Sequence, residues 1–267
     1  ATYRLILNEA GNNAEFLAEA YIKNNSNLDF KNLSIQLVEG KLKQNGNLNT
    51  PPIMLRSMSN SDKNSEMKED PLGDYHIYSL ANKINLTGEE SITTRLYSSR
   101  EISFEKTYLF ENDEKSQKEE PLGIEYEISN TKENNLGVPL PKGKIQLYQS
   151  ASNGNIEYVG EDEIRQVPKG ANAKIISGRA FNVVGKRKVL NYDRQRKSEE
   201  GTISIEVTNT LSKDINVRII EHIYGDWVVR DASANYRKKD ASTIHFPIKV
   251  SGNASQTVTY TYRKEWK

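Results

Sequence analysis

Short runs in which apolar and polar residues alternate dominate this sequence. They are rich in Val, Ile, Thr and Tyr and are separated by clusters of Asn, Gly, Asp and Ser, a pattern typical of half-buried β-strands joined by turns. Residues 2–8 and 14–23 form two such runs around the turn NEAGNN. Residues 33–42 form a third, with Leu33, Ile35 and Leu37 on one face. The start of the chain therefore predicts a three-stranded meander.

The same alternation continues to the end of the chain, and the 3.6-residue period of amphipathic helices is nearly absent. Many short strands at regular spacing are typical of β-sandwiches. The sequence therefore predicts an all-β fold with an antiparallel β-sandwich architecture, arranged as two immunoglobulin-like layers or domains. The further predicted strands are residues 75–80, 91–97, 103–110, 124–130, 144–149, 157–160, 173–176, 180–192, 202–209, 216–224, 227–230, 243–250 and 257–266.

Two segments interrupt the alternation. Residues 43–72 are rich in Asn, Ser, Lys, Met and Glu with few apolar anchors, which predicts a long flexible loop, and a tolerated surface insertion is its simplest interpretation. The charged stretch ENDEKSQKEEPLG, which begins at Glu111, is typical of a solvated linker. The predicted division is an N-terminal β-sandwich part at residues 1–115 and a C-terminal immunoglobulin-like sandwich at residues 120–267.

Composition removes several classes of function. The 37 basic and 36 acidic residues give a formal charge of +1, without the positive excess that binding to nucleic acid phosphates usually requires. The absence of cysteine excludes disulfides, thiolate metal sites and cysteine nucleophiles. No apolar run approaches the roughly 18 residues of a membrane-spanning helix, so no transmembrane segment is predicted. We expect no nucleic acid partner.

The stretch RIIEHIYGDW, from Arg218 to Trp227, places two acids and an imidazole within a few positions. In a strand, successive side chains point to opposite faces, so Glu221 shares a face with Ile219 while His222 points the other way. The two cannot converge on one metal ion or proton. A carboxylate on a largely apolar face needs a partner if it is buried, and we expect an arginine or a turn amide, in a buried ion pair rather than a catalytic site.

The other motifs favour structural interpretations. GVPLPKGK has five residues between its glycines where a phosphate-binding loop has four, with prolines where amides must donate, and is rejected as such a loop. The basic clusters GKRK and YRKK could meet an acidic polysaccharide or nucleic acid, but solvated lysines in strands or turns are the simpler interpretation. No hydrolase, metalloprotease, calcium-loop or dinucleotide fingerprint occurs. The prediction is a non-enzymatic protein without catalytic, cofactor or metal-binding residues.

Five runs of the second half follow one another in a familiar order: VPLPKGKIQLYQ, YVGEDEI, VPKGANAKIISGRAFNVVGKRK, VTNTLSKDINVRIIEHIYGDWVV and TVTYTYRKEW. They resemble the C-terminal domain of unknown function of the mucoidy inhibitor A-like proteins of bacteria and archaea. AEAYIKNNSNLDFKNLSIQLVEGKL is similar to the opening of that domain, so the resemblance covers nearly the whole chain. It implies a fold and no activity, because the family has no established one.

Family members usually carry an N-terminal domain and a coiled coil before this region, and neither is present in this sequence. The chain also starts at ATYRLILNEA, without an initiating methionine or a long apolar signal region. We therefore expect a chain that begins after processing or truncation, as a stand-alone exported form or as a trimmed fragment. The expected location is the cell envelope or the extracellular space.

Two functions are compatible with these patterns. The first is an exported structural protein that associates with itself, into a fibre or ring, through the edges of strands near its two termini. The second is a monomeric adhesion module that binds a glycan or a protein partner, such as another envelope protein, on the platform Trp227, Tyr236 and Arg237. A hydrolase ranks third. The residues predicted for self-association are Tyr3, Leu5, Leu7, Val258, Tyr260 and Tyr262.

Overall fold

The computed structural model describes residues 1–8, 10, 12–39, 68–72, 75–80, 82–150 and 154–266. Within these ranges the chain is all β, and no helix long and apolar enough to cross a membrane is found. The strands are β1 Thr2–Asn8, β2 Asn13–Lys23, β3 Phe30–Leu33, β4 Gln36–Glu39, β5 Lys68–Leu72, β6 Tyr75–Ser79, β7 Ile84–Leu86, β8 Ser91–Arg95, β9 Arg100–Ser103, β10 Glu105–Asp113, β11 Lys118–Ser129, β12 Gly143–Ser150, β13 Ile156–Ile164, β14 Asn172–Arg194, β15 Ser198–Asn209, β16 Ile215–His222, β17 Trp227–Ala232, β18 Arg237–Lys238, β19 Thr243–Val250 and β20 Ala254–Glu265.

The first sheet has the strand order β13-β12-β1-β2-β8, with β9 also paired to β2. Alternation along β1 buries Tyr3, Leu5 and Leu7 on one face. β1 is antiparallel to β2 and parallel to β12. The predicted meander is wrong in its third strand, because the described part of that strand, residues 33–39, does not continue this sheet. There, β3 pairs with β7 and β4 pairs with β6, in two small separate sheets.

Among the described residues, the second sheet has nine strands in the order β17-β20-β15-β14-β11-β10-β16-β19-β18. Its longest strand, β14, has 23 residues, and register shifts near Gly123 divide its pairing with β11 into two parts. The first part of β14 buries Ala173 and Ile175 in one hydrophobic core, and the second part buries Val183 in another. One continuous strand therefore contributes to both cores.

The predicted boundary between residues 115 and 120 falls between two paired strands. ENDEKSQKEEPLG holds the end of β10, a short turn and the start of β11, two strands of the same sheet. Charged side chains fit in strands here because they pair across the sheet surface, as Glu120 does with Arg179 at 2.8 Å. Strands β12 and β13, from the second half of the chain, complete the first sheet. Of the predicted loop at residues 43–72, only β5 belongs to the described residues.

Two hydrophobic cores lie inside this arrangement. The first core joins the inner face of the first sheet to the near parts of β11 and β14, and the second lies inside the curl of the nine-stranded sheet. Burial of this much apolar surface provides most of the driving force for folding. The first core includes Tyr3, Leu5, Leu7, Phe16, Leu96, Tyr97, Ile102, Tyr126, Ile128, Ile145, Leu147 and Ile175. The second includes Tyr108, Phe110, Leu122, Val183, Ile203, Ile205, Val217, Ile219, Phe246, Val258, Tyr260 and Tyr262.

A buried asparagine stands at the end of a strand in each half of the molecule. Asn130 follows β11, and its amide nitrogen donates to the carbonyls of Val138, Val167 and Pro168 at 2.7–3.1 Å. Asn209 ends β15 and donates in the same way to the carbonyls of Lys213 and Ser251, at 2.9 and 3.0 Å. Because buried carbonyl groups need partners, these side chains fix the loops that close the ends of the two cores.

Candidate functional site: two open sheet edges

The strands predicted for self-association are internal strands. β1 lies between β12 and β2, and residues 260–264 of β20 lie between β15 and β17, so the main chain of these segments is hydrogen-bonded on both sides. Their six predicted side chains are buried in the cores. Strand addition needs unpaired N–H and C=O groups, which β1 and this part of β20 do not offer. In the described chain, residues 254–258 of β20 pair with β15 alone. β1 and residues 260–264 of β20 are therefore not sheet edges. The six residues are Tyr3, Leu5, Leu7, Val258, Tyr260 and Tyr262.

One open edge is β13, which we call the acidic edge. Within the described chain, β13 pairs with β12 alone. Three apolar side chains are exposed along its first half: Ile156 at 54%, Tyr158 at 52% and Val159 at 36%. A β-bulge interrupts the pairing next to Gly160, and β14 contacts the second half, where the N–H of Ile176 donates to Asp162 at 2.7 Å. The accessible part of this edge is therefore 156–159.

Carboxylates outnumber cations along the acidic edge. The strand carries Glu157, Glu161, Asp162 and Glu163 and no basic residue. Neighbouring lysines neutralise two of these charges, since Lys144 lies 2.7 Å from Glu161 and Lys142 lies 3.8 Å from Glu163. Asp162 accepts the hydrogen bond from the main-chain N–H of β14. Glu157 is exposed and lies within the accessible part of the edge, so the local charge there is negative.

The nine-stranded sheet ends in β17 on one side and β18 on the other, and only the segment 233–236 connects the two strands. We call β17, this segment and residues 237–239 the basic edge. The two strands meet at Trp227, whose indole N–H donates to the Ala241 carbonyl at 2.8 Å. The Lys238 ammonium lies 4.2 Å from the centre of the indole ring. The curled sheet therefore closes on itself through side chains rather than through a strand ladder.

Three further cations are exposed on the basic edge: Arg230, Arg237 and Lys239. No carboxylate in the described part of the chain forms a salt bridge with them. Two exposed acids, Asp231 and Asp240, lie nearby, but Asp240 is used by the turn, where it accepts from the main chain and hydroxyl of Ser242. The local charge of this edge is positive.

The predicted ligand platform is only partly present. Trp227 is 4% exposed and belongs to the second core, so its ring cannot receive a ligand. Tyr236 is 44% exposed and packs on Phe246, with 5.9 Å between the ring centres. Beside it, residues 229–236 line an open groove of about 580 Å³, and Arg237 is exposed next to the groove. The platform prediction is thus corrected for Trp227, because removing its large apolar ring from water stabilises the core while its N–H keeps a partner.

Glu221 of the stretch RIIEHIYGDW is fully buried and paired with an arginine, as predicted. Arg187 donates to both carboxylate oxygens, from Nε at 3.0 and 3.2 Å and from Nη2 at 2.8 Å. The Tyr260 hydroxyl also donates to Glu221. His222 points to the other face and contacts Glu111 at 2.7 Å. The strand interpretation of this stretch is confirmed.

The buried pair alters the protonation of its own members. Burial opposes the charge of the Arg187 guanidinium, but the Glu221 carboxylate outweighs burial and raises the Arg187 pKa. Burial, followed by the charge of Glu221, raises the pKa of the Tyr260 hydroxyl well above its usual value. Because both pKa values are raised, the guanidinium and the hydroxyl keep their protons at neutral pH. The three groups form a fixed structural network and none is poised to release a proton.

A second polar cluster joins the turn after β10 to the ends of β15 and β20. The Tyr262 hydroxyl contacts Glu114 at 3.1 Å and Glu199 at 3.4 Å, and the Lys264 ammonium contacts both carboxylates. Tyr192 donates to Glu199 at 2.7 Å. Burial opposes ionisation of Glu199, but its hydrogen bonds with Glu114 and Tyr192 and the charge of Lys264 lower its pKa to about 2. The cluster anchors the turn at one end of the second core.

Arg187 is the residue that sequence reasoning missed, since GKRK was interpreted as solvated. The signal was present in the alternation, because Val183, Gly185 and Arg187 share the inward face of β14 while Lys186 and Lys188 point outward. Arg187 also donates to the carbonyls of the turn after β10, at 2.9 Å to that of Glu114. In the described ranges, no group of three or more His, Asp or Glu residues could hold a metal ion.

A scan of this sequence against protein-family models finds no match, and searches of curated proteins and of solved structures find none either. The resemblance to the mucoidy inhibitor A-like proteins therefore stays a prediction.

Proposed function

We propose that this chain is a non-enzymatic assembly protein, built as immunoglobulin-like sandwich layers, that associates with itself through open sheet edges. The observation that carries the proposal is the accessible part of the acidic edge, where Ile156, Tyr158 and Val159 are exposed on a strand paired on one side only. Its expected location, in the cell envelope or extracellular matrix, comes from the sequence.

Unpaired strand edges are a hazard that monomeric proteins reduce with proline, lysine, short strands or bulges. The accessible part of β13 contains neither proline nor lysine, and its bulge at Val159 comes only after Ile156, Glu157 and Tyr158, which keep a regular register with β12. Main-chain groups of such a strand can bond to a second strand, and the exposed apolar side chains add contact area. The acidic edge can therefore pair with a strand of another copy through main-chain hydrogen bonds and apolar contacts.

The test is the mass of the protein in solution, measured by light scattering over a concentration series, with the same samples imaged for filaments. We expect masses above the 30.3 kDa of one chain, increasing with concentration. The double variant Ile156→Lys/Tyr158→Lys should return the mass toward one chain, because lysines on an edge disfavour pairing. Phe181→Lys is the matched control, since Phe181 is 91% exposed but lies on the internal strand β14. A wild-type chain that stays monomeric throughout would overturn the proposal.

The groove at the basic edge favours a second candidate function, the binding of a glycan. A half-exposed aromatic ring beside polar side chains is the composition that sugar recognition needs, and Tyr236 lies beside Arg230, Asp231 and Asn235. Calorimetric titration with acidic and neutral oligosaccharides tests it. Tyr236→Ala should abolish any heat of binding, whereas Tyr224→Ala, which removes an exposed tyrosine outside the groove, should not. Binding unaffected by Tyr236→Ala would place the ligand elsewhere.

A further inference from the structure

The two open edges differ in charge, and this difference restricts which edges can meet. Two copies of the acidic edge, paired antiparallel through their accessible parts, would bring the exposed carboxylate of Glu157 in one copy close to that of Glu157 in the other. Like charges placed opposite each other on neighbouring strands are destabilising. Two copies of the basic edge would likewise oppose arginines and lysines. A symmetrical contact of either edge with itself is therefore disfavoured.

The acidic edge and the basic edge have complementary charges. Glu157 on the acidic edge is exposed, and so are Arg230, Arg237 and Lys239 on the basic edge. The basic edge also exposes an apolar side chain on its strand, Val228, at 51%. Apolar contact between the strands would then be flanked by charges of opposite sign, which steer and orient an approaching partner.

Resting on the proposed function, we infer that the acidic edge of one copy pairs with β17 of the basic edge of the next copy. β17 has six residues and β18 has two, so β17 is the strand that can form a ladder. Arg237 and Lys239 then lie beside the added strand. Because the two surfaces differ, the contact is head to tail, and each added copy presents a new open edge. The assembly is an open filament, or a ring if the rotation between copies closes.

The experiment uses charge reversal on each edge, with the concentration at half-assembly as the readout from light scattering. Glu157→Lys and Arg230→Glu should each raise this concentration roughly fivefold or more, because each places like charges in every contact. Lys188→Glu is the matched control, since Lys188 is exposed on the internal strand β14 and should leave assembly unchanged. Circular dichroism confirms that each variant is folded.

Mixing the two edge variants gives the decisive result. In a one-to-one mixture, alternating copies restore opposite charges in every contact, so the half-assembly concentration should return to about the wild-type value. Half-assembly should also need more protein as salt is raised from about 0.05 to 0.5 M, because exposed charges are screened.

The outcomes separate this inference from the proposed function. A wild-type chain that never assembles overturns both. Assembly that Arg230→Glu leaves unchanged, that mixing fails to rescue or that salt does not weaken overturns the head-to-tail pairing and leaves self-association through another edge in place.

Discussion

The two hydrophobic cores differ in what they enclose. In the first core, buried hydroxyls reach main-chain carbonyls at its margin, as Tyr3 does with Pro141 and Tyr97 with Pro139, both at 2.7 Å. The second core holds a complete ion pair, Arg187 with Glu221, whose side chains have no exposed surface. A core of apolar groups depends on volume and shape, whereas a core with buried charges also depends on each charge keeping its partner. The second core should therefore tolerate far fewer substitutions.

The largest expected effect comes from a comparison in which methionine replaces one residue in each core. Arg187→Met leaves Glu221 buried without its cation, which should lower the free energy of unfolding by about 3–5 kcal/mol. Leu5→Met in the first core nearly conserves volume and should cost less than about 1.5 kcal/mol. Urea denaturation followed by circular dichroism measures both.

The double variant Arg187→Met/Glu221→Leu is the control for this comparison. It removes both charges, so it should recover much of the stability lost in Arg187→Met. If the double variant is as unstable as the single one, packing around Arg187 rather than its charge would be the dominant contribution.

Acidification should affect the second core through Glu199. The pKa of this carboxyl falls from 4.5 to about 2 on folding, so its ionised form stabilises the folded chain. That contribution is fully present above about pH 4.5 and is lost as the pH falls toward 2, by on the order of 3 kcal/mol. The Glu199→Gln variant should lack this part of the pH dependence in denaturation curves between pH 5 and 2. Parallel curves for variant and wild type would contradict the assignment.

The smallest expected effect tests a feature that the cores share. Asn130→Ala and Asn209→Ala each leave several loop carbonyls without a buried donor, and each should cost about 1–3 kcal/mol. Thermal denaturation of both variants provides the comparison. A loss confined to one variant would show that water replaces the amide in the other loop.

Most of the correctly predicted secondary structure follows from the local alternation of apolar and polar residues. It placed β1 and β19 at their observed bounds and assigned Glu221 and His222 to opposite faces. It also required a partner for Glu221, which Arg187 provides. These conclusions depend only on the two-residue period of a strand.

Strand neighbours could not be predicted in the same way. β1 pairs with β12 and β10 pairs with β16, both in parallel, across long stretches of chain. Parallel neighbours leave no turn signal in the sequence, so nothing local marked β1 as an internal strand. For that reason the sequence predicts edges at the terminal strands, whereas the structure has edges at β13 and β17. The burial of Trp227 escaped prediction because it depends on β18 returning beside β17.

The parallel pairing of β1 with β12 has a consequence for synthesis of the chain. β1 leaves the ribosome before its partner strand, which follows about 140 residues later, roughly 7–30 s at bacterial and eukaryotic elongation rates. During that interval the growing chain has β2 on one side of β1 and nothing from β12 on the other. The nascent protein therefore exposes an apolar strand edge that the finished protein conceals, and a chaperone that shields residues 2–8 should raise the yield of folded chains.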